Sequence, residues 1–124
     1  MAAQIQNTGF ANFAAAVVAY ASVPKFIGWG TGTGAAVSAT DLVTPAAPTS
    51  TTRVTGSPST TTTTLTNDTV TVTGTVTAGG ALSITEAGLF TAATGTNLQV
   101  YASFGVITLA NGDSISFTFN VQFH

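Results

Sequence analysis

The sequence contains no cysteine and very little charge. Without thiols there is no disulfide framework, no thiolate metal site and no cysteine nucleophile. Formal charge is confined to Lys25, Arg53, Asp41, Asp68, Glu86 and Asp113, with a single histidine, His124, at the last position. Charged residues make up 5% of the chain, against about 25% in an ordinary soluble domain. Two basic residues and a net charge of -2 leave no electrostatic footprint for nucleic acid or for an anionic membrane surface. Long apolar runs are missing too. Mean hydropathy is +0.44, yet the longest stretch free of strongly polar residues, 13–23, closes at Pro24-Lys25. That is well short of the roughly 20 residues a helix needs to cross a bilayer. Ala19-Tyr20-Ala21 has the small-x-small form of a leader cleavage site, but no Lys or Arg precedes it, so the segment reads as a helix and not as a leader.

The same scarcity removes most catalytic arrangements. General acid–base chemistry needs a histidine or paired carboxylates in one pocket. Here the histidine is terminal and the four acids are scattered along the chain. The expectation is therefore a protein that is not an enzyme and that uses no cofactor and no metal. Asp68 and Asp113 stand beside turns, where an aspartate bonds its own backbone. Glu86 shares the phase of Leu82 and Ile84. It reads either as an inward carboxylate paired with Lys25 or Arg53, or as an exposed one at a strand end. Gly30-Thr31-Gly32-Thr33-Gly34 follows a short strand, yet it has neither dinucleotide nor P-loop spacing and no Lys-Ser/Thr after it. A turn for close backbone approach fits it better. Trp29 and Tyr101 offer a carbohydrate platform, although a single Trp between glycines is more often a core or interface anchor.

What the chain has in abundance is threonine, about a fifth of its residues. Threonine is β-branched and presents a hydroxyl without a charge. A surface built from it suits packing against other protein and suits a free monomer poorly. The length of 124 residues allows one domain. Residues 8–22 read as a helix capped by Asn7 or Thr8 and stopped by Pro24, with Phe10, Phe13, Val17 and Tyr20 at spacings of three and four. Residues 43–66 are rich in Thr and Pro. They read as extended chain with an edge strand held by a neighbour, or else as a flexible or glycosylated stalk.

From 68 to 123 the period is two. Val70, Val72 and Val76 alternate with threonines, and Ile115, Phe117, Phe119, Val121 and Phe123 alternate with polar residues. The threonine ladder 69-71-73-75-77 has the spacing of ice-binding arrays, but no fixed-period repeat supports it. Gly105 reads as a bulge, and Asn111-Gly112 as a tight turn. The fold expected is an all-β, jelly-roll-like antiparallel sandwich of about seven strands with one N-terminal α-helix, forming a single domain over 1–124.

Four motifs carry a resemblance. They are Phe26-Ile27-Gly28-Trp29-Gly30-Thr31-Gly32; Thr66-Asn67-Asp68-Thr69 leading into Val-Thr-Gly-Thr-Val-Thr-Ala at 72–78; Ile84-Thr85-Glu86-Ala87-Gly88-Leu89-Phe90; and Asp113-Ser114-Ile115. Over roughly residues 8–123 the chain resembles small virion proteins of tailed phages, and within that group the capsid cement, or decoration, proteins of short-tailed cyanophages. The resemblance implies a homotrimer on the capsid exterior, bound to the phage major capsid protein after synthesis in the bacterial cytoplasm. It also admits a tail-fibre or tail-tip module, because some relatives with these motifs occur there. A third reading, from the residues alone, is a secreted glycan-binding sandwich. The residues put forward for a subunit or capsid interface are Phe10, Phe13, Val17, Tyr20, Trp29 and Arg53.

Overall fold

Two antiparallel sheets pack face to face, with one helix beside them. The computed structural model describes residues 2–46 and 53–124. Its elements are α1 (Asn7–Ala19), β1 (Phe26–Gly30), β2 (Val54–Thr55), β3 (Ser57–Thr61), β4 (Thr69–Thr77), β5 (Leu82–Phe90), β6 (Leu98–Leu109) and β7 (Ser114–Gln122). The first sheet has the strand order β2-β1-β5-β6 and the second β3-β4-β7. This is the expected all-β sandwich with one N-terminal helix.

Period-two patterning explains the second sheet. β4 and β7 pair from Thr69↔Gln122 to Thr77↔Ser114 without a register shift. One face therefore collects Val70, Val72, Val76, Ile115, Phe117 and Phe119, while the other collects Thr, Ser, Asn and Gln. The apolar face meets Ile27, Trp29, Ile84, Ala87 and Leu89 of the first sheet, and together they form the core. Each fully buried large apolar side chain contributes about 1.5–3 kcal/mol. Phe117, half-buried at the rim of this core, stands edge-on to Trp29 with ring centroids 6.4 Å apart and stacks on Phe119 at 6.0 Å. On the outer face the hydroxyls bond one another across strands: Thr71 donates to Asn120 Oδ1 at 2.8 Å, and Thr77 meets Ser114 at 2.6 Å.

The connections β4→β5 and β6→β7 cross between the sheets at one end, which gives the jelly-roll-like character. They are tied there by Ala78 N–H donating to Asp113 O and Gly112 N–H donating to Ala78 O, both at 2.8 Å. Gly112 has φ 89°, the left-handed conformation that the Asn111-Gly112 turn requires.

The two flanks of the sandwich differ. On one, β2 runs straight into β3 through Gly56, so the chain itself bends from the first sheet to the second. Gly56 N–H donates to Lys25 O at 2.7 Å, and a Cβ there would lie 2.8 Å from Val72 Cγ1 and 2.9 Å from Thr73 O. Only glycine fits that corner. On the other flank β6 and β7 are the outermost strands of their sheets.

Within the Thr/Pro-rich segment, residues 43–46 lie along β1. Thr31 N–H donates to Thr44 O at 3.0 Å and Ala46 N–H to Trp29 O at 2.8 Å, and β2 continues along the same edge through Ile27↔Val54 and Phe26↔Thr55. β3 is indeed an edge strand, held by β4 of its own chain. Residues 47–52 of this segment lie outside the described residues.

The helix corrects two expectations. It begins at Asn7, and the N-cap position is Gln6, which makes no side-chain capping bond. It ends at Ala19 with Tyr20 extended, ahead of Pro24, and the chain then turns towards β1 with Val23 N–H donating to Tyr20 O at 3.0 Å. Its buried face is centred on Ala14, fully buried, with Val17 and Val18 packed beside it. The small alanine lets the helix approach β3 and β4 closely. Phe13 and Tyr20 fall to the side of that face and are 49% and 63% exposed.

Candidate interaction surfaces

The buried carboxylates must be placed first, because they decide whether the protein holds reactive groups. Ile84 faces the core, but the register between β5 and β6 shifts between Ile84 and Glu86. Past that bulge Ala87 and Leu89 face the core, and Glu86 turns to the opposite face with its neighbours Gly30 and Tyr101. Glu86 is fully buried there, under the loop 31–46. Its Oε1 accepts from Gly32 N–H at 3.2 Å and Thr44 N–H at 2.8 Å, and its Oε2 from Val43 N–H at 3.1 Å and the Tyr101 hydroxyl at 3.0 Å. The expected ion pair with Lys25 or Arg53 is not made; backbone N–H groups take that place. Thr85 completes the latch, its hydroxyl donating to Gly32 O at 2.6 Å. A side chain at Gly30 would overlap Glu86 Oε1 and Thr44 O, which is why the Gly-rich stretch begins there. Burial pushes the Tyr101 phenol above its ordinary pKa, and Glu86 adds to that shift against backbone N–H groups of Ala35 and Gly34.

Asp68 organises the loop 62–68. It is fully buried, and it accepts from Thr63 N–H at 2.9 Å, Thr64 N–H at 3.2 Å, Leu65 N–H at 2.9 Å, Thr69 Oγ1 at 2.9 Å and Gln122 Nε2 at 3.0 Å. Burial opposes its ionisation, but the backbone donors of Leu65 and Thr63, with Gln122 and Thr69, outweigh it and hold the carboxyl well below the usual range. Asp113 accepts from Ala110 N–H at 2.8 Å. Asp41 accepts from Leu42 N–H at 2.8 Å and faces Arg53 Nη2 at 3.6 Å. Among the described residues, no three of His, Cys, Asp and Glu converge as metal ligands do, and every carboxylate has a local structural task.

Two of the residues put forward for an interface are interior. Trp29 is fully buried, so neither an interface anchor nor a carbohydrate platform with Tyr101 can use its ring. The cause is parity: Trp29 follows Ile27 onto the core face of β1. Arg53 has its side chain 10% exposed and lies over the Phe90 ring, with the guanidinium carbon 3.4 Å from the centroid. It donates to Ala92 O at 3.1 Å and to Gly95 O at 2.7 Å. It therefore fastens the β5–β6 turn to the outer face of the first sheet. A cavity of about 180 Å³ beside it is lined by Asp41, Leu42, Pro45 and Phe90 among others.

The remaining candidates do come together at the surface. Phe13, Val17 and Tyr20 line an open groove with Ile5, Ala16 and Phe123, with a volume of about 490 Å³ and an almost wholly apolar lining. Phe10 lies beyond it, over Leu65, Gln122 and His124. Ile5 carried no sequence signal of its own; Phe123 was legible as the end of the apolar phase of β7, and that phase brings it to the groove beside the helix. A second feature was hidden in the sequence altogether. The flank formed by β6 and β7 contains no charged residue and exposes Val106 (67%) and Ile107 (39%). Among the described residues, no helix is long and apolar enough to cross a membrane.

Fold and surface together define a small β-sandwich whose carboxylates and Arg53 secure its own loops and whose exposed groove and flank are apolar or neutral. Comparison with protein-family models, curated proteins and solved structures gave no match.

Proposed function

We propose that the protein is a structural virion component, a capsid cement protein that trimerises and binds the outside of a phage major capsid protein lattice. The observation that carries this reading is the apolar groove between α1 and the end of β7, on a surface that contains almost no ions. Large exposed apolar patches on a folded chain mark sites of macromolecular contact, and Phe13 and Tyr20 are aromatic anchors of the kind such contacts use. The motif resemblance to decoration proteins supplies the partner. Stabilisation then works by mass action: a subunit that binds only the assembled shell lowers the free energy of that state, and many copies add. No chemistry is involved.

The test is the number of copies per particle. Quantitative mass spectrometry of purified virions is expected to give a ratio to the shell protein of the same order as one. A few copies per particle would overturn the cement reading and favour a tail-fibre or tail-tip module. Attachment is also expected to survive roughly 1 M NaCl, where the Debye length is about 3 Å, because apolar contact is not screened. Release by salt would contradict the groove as the contact.

A further inference from the structure

The β6–β7 flank presents two unpaired strand edges side by side. β6 runs for 12 residues and β7 for 9, and each is the last strand of its sheet. An unpaired edge offers a row of free N–H and C=O groups to any extended chain, and monomeric proteins blunt such edges with lysine, proline, inward charges or a covering segment. Lysine, proline and inward charges are absent from β6 and β7; the one blunting feature is the bulge in β6 opposite Thr85, where Ile84↔Ile107 gives way to Glu86↔Ser103. The opposite flank, by contrast, is closed by the Gly56 corner. Side chains add to the opening: Val106 and Ile107 are exposed, and Phe104 and Phe117, whose rings lie 6.2 Å apart, bridge the gap between the sheets.

We propose that this flank is the surface through which copies of the chain join, edge strand to edge strand. The inference rests on the reading of the protein as one subunit of an assembly of copies, and it names the face that makes that assembly. Three observations select a second copy as the occupant. The edge is neutral along its whole length, so its partner must be neutral too, and the chain's own edges meet that condition. β7 alternates apolar and polar residues without interruption, so a copy paired to it continues the core face with Ile, Phe and Val and the outer face with Ser, Thr and Asn. The size is consistent with several copies joining: a flank of about a dozen residues, at roughly 3.4 Å each and two sheets about 10 Å apart, offers on the order of 400 Å² a copy, too little for one strong pairwise complex and sufficient where several copies close on one another.

The test compares molar masses by light scattering. Unmodified protein is expected at a multiple of the 12.3 kDa chain. Val106→Lys combined with Thr118→Lys, two exposed positions on the two edges, is expected at 12.3 kDa with an unchanged circular dichroism spectrum. Tyr20→Lys, in the helix groove, is expected to keep the mass of the unmodified protein. A folded double variant that keeps that mass overturns the flank as the interface and leaves the assembly reading standing. Unmodified protein at a single chain's mass overturns both. Amide hydrogen exchange gives an answer even if the double variant fails to fold. In the unmodified assembly the outward amides of β6 and β7 are expected to exchange at least tenfold more slowly than those of β3, and equally fast exchange at these edges overturns the proposal.

Discussion

The two flanks of this sandwich are built on opposite plans. On the β2–β3 side the chain closes the structure itself. It bends through Gly56, lays residues 43–46 along β1, and knots the loop 62–68 around Asp68. Four of the six charged residues, Asp41, Arg53, Asp68 and Glu86, bond that side or the loop 31–46. On the β6–β7 side nothing is closed, and the only nearby acid, Asp113, is spent on its own turn. The contrast teaches where a charge-poor protein places its few ions. They go where backbone groups would otherwise be buried without partners, and the outer surface is left to hydroxyls and apolar groups. A closed flank stabilises one chain; the open one is the face proposed for joining copies.

That contrast can be broken by substitution. The largest effect is expected at the corner. Gly56→Val places a side chain against Val72 and the carbonyls of Thr73 and Lys25, and is expected to cost about 3 kcal/mol or more in urea unfolding. Next comes the latch. Glu86→Ala strands three buried N–H groups and the Tyr101 hydroxyl, an expected loss of about 2–3 kcal/mol, read as a lowered thermal midpoint.

Asp68 gives a smaller, pH-dependent effect. Its carboxyl is held below the ordinary range, whereas in the unfolded chain it titrates near about 3.9. The unfolded state thus binds the proton first as pH falls, so this stabilisation is fully present above that value and is lost progressively below it. Thermal unfolding between about pH 5 and pH 2 is expected to show the slope, and Asp68→Asn to flatten it. The smallest effect is expected on the open flank. Val106→Thr should change the stability of the isolated fold by less than about 0.5 kcal/mol, and a larger change would mean that this edge is already packed within one chain.

Much of the fold was legible in the sequence because β4 and β7 alternate without interruption. Period two fixes which face is buried, and Asn111-Gly112 fixes the turn. Legibility failed where the period breaks. The bulge after Ile84 reverses the faces of β5, so the phase argument left Glu86 either inward beside a cation or exposed at a strand end, whereas the fold buries it on the opposite face and supplies loop N–H groups. Trp29 was ambiguous for a related reason, since one aromatic among glycines shows no period at all. In the helix, spacing alone put Phe13 and Tyr20 on one stripe with Ala14 and Val17 and did not say which of them is buried. Close approach to β3 and β4 selected Ala14 instead and turned both aromatics outward, towards the surface proposed for contact. Edges cannot be read locally either: that β6 and β7 end their sheets is a property of topology.

The most direct measurement is the mass of the unmodified protein across a wide concentration range by native mass spectrometry. A species of several 12.3 kDa chains that persists on dilution is predicted. A single chain at every concentration would contradict the claim that this nearly uncharged molecule is completed by its own copies.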